Sequence, residues 1–327
     1  MEKKASDAIK YTLSFALAGV MVWLAFRKVE WSDFWDGLRQ TRWAWVILFL
    51  AASILALFFR TLRWKALLKP LGGKNGKLLI WDANNVGNLA NIVLPGSGEF
   101  VRCGYLSGGP ASYEKVLGTV VVERICDILA IIILFVTALA FEWEQFGAFF
   151  RDNIIAPMTG RMSFSLWWIV LAVLAVLGAA GWALWHFREK SRFCARIVSG
   201  IKGFLQGFAS FARMKRKWLF AVYTVLIWLM YILMFWSILK AMPALEGLDF
   251  MDAVFLSAVG NIASVIPVPG GIGAYHYLIA LTLSSLYGVP WETGLLNATL
   301  NHELHAVLII ILGIVSYFML TLRKKGK

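Results

Sequence analysis

Residues Trp43 to Phe59 read WAWVILFLAASILALFF, without one charged side chain, and the chain writes a similar run from Leu166 to Trp185. Coiled as a helix, a run of this length crosses about 30 Å of hydrocarbon. In water it would need protein packed around every face. One such run could be a core helix, but here 60% of the residues are hydrophobic, 16% are charged, 16 are Trp and the mean hydropathy is +0.70. These values exclude a soluble globular domain and predict an all-α polytopic membrane protein.

Six crossings are expected, at about Tyr11–Phe26, Trp43–Trp64, Lys115–Phe141, Phe164–Phe187, Trp218–Lys240 and Asn297–Leu322. The apolar run after MEKKASDAIK is followed by Arg27, Lys28, Val29 and Glu30 with no small-residue cleavage pattern, which reads as an uncleaved first span. Two further apolar segments, 78–107 and 250–287, break near their middles on Pro and Gly. Each is too interrupted for one helix and too short for two crossings, so each is expected to be a re-entrant hairpin. The tips are Pro95, Gly96 and Gly98 in the first and Pro267, Pro269, Gly270, Gly271 and Gly273 in the second.

The net charge of +13 does not point to nucleic acid, because Lys and Arg gather beside apolar spans and no recognition motif accompanies them. They cluster at the N-terminus, after the second span, between the fourth and fifth spans and at the C-terminus. All four clusters share one side if both hairpins return to the side they entered, and the positive-inside rule then makes that side and both termini cytoplasmic. The expected location is the cytoplasmic membrane. The stretch 188–217 also spaces Phe193, Ile197, Ile201, Phe204, Leu205 and Phe208 helically among basic residues, as an amphipathic helix on an anionic leaflet would. A plain orienting loop fits the same charges. The odd, scattered cysteines Cys103, Cys126 and Cys194 suggest packing rather than disulfides.

VGNLANIVLPGSGE at 86–99 and VGNIASVIPVPGGIG at 259–273 echo one another within a longer repeat. One unit is expected over 43–141 and a second over 218–322, each running span, hairpin, span, within a single membrane domain of residues 1–327. Three crossings separate equivalent spans, so the units should be inverted, the arrangement that builds a midplane site for alternating access. The candidate cargo-binding residues are polar groups inside apolar runs: Arg63, Asn88, Glu99, Arg102, Glu123, Arg124, Asp127, Asn261, His276, His302 and Glu303. Each charge at the bilayer centre costs about 2.5–3.5 kcal/mol unless it is paired or faces a cavity. Glu123 and Asp127 share a helix face and Arg124 points away, toward Glu99 in one arrangement. Pairing among themselves and contact with cargo both satisfy these charges. His302, Glu303 and His305 miss the HExxH spacing, position 306 being Ala306, and no third ligand is evident, so no metal and no cofactor are expected.

Four motifs resemble those of the flippase-like transmembrane family related to the membrane region of lysylphosphatidylglycerol synthetases: R-x-L-R-W-x-x-L-L from Arg60, L-P-x-x-G-E-x-x-R from Leu94, E-R-x-x-D from Glu123 and P-x-P-G-G-I-G-x-x-H from Pro267. The resemblance implies roles for Arg63, Glu99, Arg102, Glu123, Arg124, Asp127 and the Pro269–Gly273 turn, and more weakly for His276 and His302. In larger relatives it implies translocation of an aminoacylated phospholipid made by a separate soluble domain. This chain ends at Lys327 without one, so no enzyme activity is expected. The expected function is movement of an anionic or zwitterionic lipid or lipid-linked precursor, with membrane lipids as partners and the oligomeric state open. An ion-coupled small-solute transporter and an accessory subunit of an envelope enzyme are the alternatives.

Overall fold

The computed structural model describes residues 19–27, 29–72, 76–108, 111–141, 202, 205–206, 209–263, 268 and 271–325. The expected span Phe164–Phe187, most of the 188–217 segment, the first part of the Tyr11–Phe26 span, and Pro267, Pro269 and Gly270 lie outside them. Among the described residues every regular element is helical, and the only β pairing is a single bridge between Gly108 and Ala111.

After a helical stretch at 19–26 come α1 (Trp31–Arg39), α2 (Trp43–Leu68), α3 (Lys77–Val93), α4 (Ser97–Leu106), α5 (Tyr113–Phe141), α6 (Lys217–Ala241), α7 (Phe250–Ala263), α8 (Ala274–Tyr287) and α9 (Trp291–Lys325). By length and apolar composition, Trp43–Leu71, Lys217–Ala241 and Trp291–Arg323 can cross a membrane. Helix α5 is also long enough at 29 residues, but Glu114, Lys115, Glu123, Arg124 and Asp127 interrupt its apolar character. Helix α1 was not expected. Its signal is nevertheless in the sequence, since Trp31, Phe34, Trp35 and Leu38 follow helical spacing; Phe34 turns inward while Trp31 and Trp35 are exposed.

Local chemistry explains the break between α3 and α4. Pro95 disfavours helical backbone at Leu94, which is extended at φ −140° and ψ 108°. Gly96 then takes a left-handed φ of 77° and starts α4. The two helices close tightly: the Gly98 N–H donates to Asn91 Oδ1 at 2.7 Å, and Ser97 Oγ donates to the Ala90 carbonyl at 3.0 Å. A Cβ on Gly98 would lie only 2.1 Å from the Gly87 carbonyl oxygen, so both glycines are required by contact rather than by backbone conformation.

The helix starts of the two halves lie 174, 173, 177 and 178 residues apart (43 to 217, 77 to 250, 97 to 274, 113 to 291). Helices α2 and α6 form the central pair, with Trp45 and Trp236 in edge contact at 5.4 Å. Around it the halves exchange partners, α9 packing on α3 and α5 on α7. The α3–α9 seam carries an Asn85 Nδ2 to Ser316 Oγ bond of 3.2 Å and an Arg323–Asp82 ion pair of 2.7 Å.

These contacts assign the ends of the bundle. Arg42 donates its backbone N–H to Ala241 at 2.8 Å and pairs with Glu246 at 2.9 Å, while the Tyr287 hydroxyl donates to Asp252 at 2.9 Å. The α7–α8 pair therefore opens at the Arg42 end. Asp82 and Lys77, at the start of α3, lie instead near Arg323 and Lys65, so the α3–α4 pair opens at the opposite end. One apolar core gathers around Phe49, Ile238, Leu256 and Leu295, and a smaller one around Trp64, Leu67, Ile80 and Cys103. Large apolar side chains also point outward, including Ile128, Ile132 and Ile133 of α5 and Ile311, Val315 and Phe318 of α9. Such continuous apolar exterior suits lipid, not water.

Candidate functional site

Two polar groups stand inside the bundle. In the first, helices α2, α4 and α5 bring together Arg63, Arg102, Glu123 and Asp127. Arg63 holds Asp127 bidentately, Nη1 to Oδ1 at 2.6 Å and Nη2 to Oδ2 at 3.1 Å, and its Nε stands 3.6 Å from Glu123. Arg102 donates to Glu123 at 2.8 Å and to Asn84 Oδ1 at 3.0 Å, and its guanidinium stacks 4.3 Å from the Trp64 ring. Trp64 is fixed in turn by donation to Thr119 Oγ1 at 2.9 Å. Two guanidinium groups face two carboxylates, and the side chains of Arg63 and Glu123 are 1% and 3% exposed. The cluster neutralises itself. A more exposed pair, Arg124 and Glu99, joins α5 to α4 beside it.

The second group surrounds a cavity of about 260 Å³. Its polar lining comes from Tyr231 of α6, Asn261 of α7, Tyr275 of α8, and Asn301, His302 and His305 of α9, with Ile92 at the end of α3 closing one side. Ile92, Asn261 and Tyr275 lie beside the breaks of the two helix pairs, so the cavity sits between the end of α3 and the facing ends of α7 and α8. At 1.5 Å per residue His302 is roughly 16 Å from Trp291, and Tyr231 roughly 15 Å from Ala241. Both distances put the cavity about half a hydrocarbon thickness below the Arg42 end. Arg60 connects the two groups, having Tyr231, Asp127 and Glu123 as electrostatic neighbours and acting on His305 as well.

A third feature lies at the other end, where a cleft of about 650 Å³ is ringed by Lys65, Lys69, Lys77, Arg213, Lys215 and Arg216. The Arg42 end is instead mixed in charge. There the hydrogen bond from Arg42 holds the Glu246 carboxyl below the usual carboxylate range.

The family model for the lysylphosphatidylglycerol synthase TM region matches residues 11–313. The chain belongs to that family. No curated protein and no solved structure matches it. The match to the lysylphosphatidylglycerol synthase TM family spans both polar groups and every residue singled out from the sequence.

Within this family member the sequence-derived candidates divide. Arg63, Arg102, Glu123 and Asp127 bind one another, and Glu99 binds Arg124. Asn261 and His302 line the cavity. Glu303 lies 2.9 Å from His302 Nδ1 and 3.5 Å from His276 Nε2, so His276 and Glu303 border the cavity through His302. Asn88 is half-buried on α3, outside both groups. Gly271 and Gly273 are left-handed at φ 78° and 83° beside the start of α8, and Gly273 abuts Met21 and Val22. Sequence reasoning missed Arg60, Tyr231 and Tyr275, and noted Asn301 and His305 as polar groups of the last span without placing them among the candidate site residues. Arg60 heads the first family motif, which was the available signal; the tyrosines are indistinguishable by pattern from aromatic packing.

Proposed function

We propose that this protein moves a lipid or lipid-linked precursor with an anionic or zwitterionic headgroup across the cytoplasmic membrane, the headgroup passing through the cavity while its chains remain in lipid. The observation that carries the reading is a polar cavity at about mid-depth, lined from both of two helix pairs that open at opposite ends. Broken helices at membrane depth are tolerated where they line such a cavity. The matched helix order and the exchange of α5 and α9 between halves support an inverted repeat, the architecture of alternating access. The basic cleft supports a cytoplasmic assignment for the Lys65 end and offers an anionic headgroup its first contact. Arg60 interacts electrostatically with Tyr231 of the cavity lining as well as with Asp127 and Glu123, and its planar fork suits a phosphate.

The test is headgroup accessibility in reconstituted vesicles of defined lipid composition, with Asn261→Ala and Arg60→Ala as variants. Transbilayer movement of at least one phosphate-bearing lipid above that of empty vesicles, slowed in both variants, is expected. No acceleration of any phosphate-bearing or zwitterionic lipid would sink the proposal. A cavity of about 260 Å³ also admits a small solute, which keeps a second reading, ion-coupled solute transport. Gradient-driven solute uptake without lipid movement would favour that reading.

A further inference from the structure

The two halves differ in chemistry at one matched pair of positions. Glu99 is the third residue of α4 and Arg124 the twelfth of α5; His276 is the third residue of α8 and His302 the twelfth of α9. The first pair is an ion pair that satisfies itself. The second is two imidazoles, their ring centroids 5.1 Å apart, which cannot neutralise or saturate one another. Beside them stands Glu303, whose Oε1 lies 2.9 Å from His302 Nδ1 and 3.5 Å from His276 Nε2. All three candidate ligand atoms lie within 4.8 Å of one another.

We propose that His276, His302 and Glu303 form a binding site for a divalent first-row transition ion at the rim of the central cavity, with Zn²⁺ the ion best suited to the ligand set. Imidazole nitrogen and carboxylate oxygen at about 2.0–2.2 Å from such an ion would stand roughly 3–3.5 Å apart from each other. The two separations from Glu303 already fall close to that range, and closing the set brings together the two imidazole nitrogens, which lie within 4.8 Å of one another. Two histidines and a glutamate leave a coordination position open, as catalytic-type rather than structural zinc sites do. His302 both belongs to the set and lines the cavity, so the ion would border the space where cargo is held.

The charge balance agrees. Among the described residues the two imidazoles are the electrostatic partners of Glu303, and a carboxylate in a membrane domain needs a countercharge. A cation bound between the rings and the carboxylate supplies the missing charge. The three ligands come from the start of α8 and the middle of α9, two helices already packed together. The pattern HEL alone gives two neighbouring ligands; the fold brings His276 in as the third.

The experiment uses the full chain, without a histidine tag, in detergent. Protein stripped with chelator is loaded with Zn²⁺, desalted and assayed for metal content, and its affinity is measured by competition with a chromophoric chelator. The wild type is expected to retain one Zn²⁺ per chain. His276→Ala, His302→Ala and Glu303→Gln should each weaken binding by more than about 100-fold, beyond the effect typical of losing a mere outer-sphere partner. His305→Ala, which leaves the trio intact, should retain the ion. Glu303→Gln is near-isosteric at a half-exposed position, so it decides the matter if either alanine variant fails to fold. A wild type that keeps no ion, or a Glu303→Gln variant that keeps one with unchanged affinity, overturns the proposal. Because the readout is metal content, its outcome is independent of whether any lipid moves.

Discussion

Replacing Arg102 by Met tests whether the buried ionic cluster is a structural lock. Arg102 is 5% exposed and holds three things at once: Glu123 at 2.8 Å, Asn84 Oδ1 at 3.0 Å and the face of Trp64 at 4.3 Å. Methionine keeps most of the apolar stem but leaves Glu123, 3% exposed, with Arg63 Nε at 3.6 Å, beyond hydrogen-bonding distance, as its remaining ion-pair partner among the described residues, and Arg60 as a further electrostatic neighbour. Removing one partner of a buried pair costs about 3–5 kcal/mol, because the other charge stays buried. The double variant Arg102→Met, Glu123→Leu removes that charge, while Arg63 keeps its two bonds to Asp127. What then remains is chiefly the unmet acceptor on Asn84, about 1–2 kcal/mol. The double variant should therefore be more stable than the single one. Equilibrium unfolding in mixed detergent and SDS micelles, followed by tryptophan fluorescence over the full double-mutant cycle, measures this. A loss below about 1 kcal/mol for Arg102→Met, or a double variant as unstable as the sum of the singles, refutes the lock.

Other substitutions probe the packing and the ends of the bundle. Gly98→Ala forces a Cβ to 2.1 Å from the Gly87 carbonyl and should destabilise by more than about 3 kcal/mol, whereas Gly104→Ala, with nothing within 4 Å, should stabilise by up to about 1 kcal/mol; thermal melts of both side by side check this. At the Arg42 end, Glu246 has a carboxyl held below its ordinary range by Arg42, so the pair stabilises the folded state above the unfolded-state carboxylate pKa and loses that contribution as pH falls through the lowered folded-state value. The stability difference between wild type and Glu246→Gln, followed by denaturation from neutral to acidic pH, should shrink to nothing at the acid end; a difference that grows on acidification would contradict the assignment. Arg323→Ala strips the ion-pair partner from the buried Asp82 and should loosen the α3–α9 seam, read as faster amide exchange along α3.

Much of this was readable in the linear chain, for specific reasons. Pro and Gly in apolar runs are conspicuous, so the α3–α4 and α7–α8 segments begin and end within a residue of the positions expected from 78–107 and 250–287. Charges inside apolar helices are equally conspicuous, which is why Glu123, Arg124 and Asp127 stood out. Their pairing was open, because three arginines and three carboxylates allow several arrangements; the structure joins Arg63 to Asp127, Arg102 to Glu123 and Arg124 to Glu99. The cavity was less legible. Tyr231 and Tyr275 show their function only through what they face, and His276 meets His302 and Glu303 only once α8 has folded back on α9. Helix α1 was passed over because its nine residues fall below the length scale on which membrane spans are sought, although its aromatic spacing was plain.

The exchange of long helices between halves also dictates an order of assembly. Helix α3 ends at Val93, yet the helix that covers Asp82, Asn85 and Leu89 begins only at Trp291. At ribosomal speeds of about 5–20 residues per second, roughly 10–40 seconds separate the emergence of the two. For that interval α3 holds an aspartate and an asparagine without their final partners in a hydrophobic medium. The first half cannot finish folding when its own synthesis ends; it waits until α9 has been made.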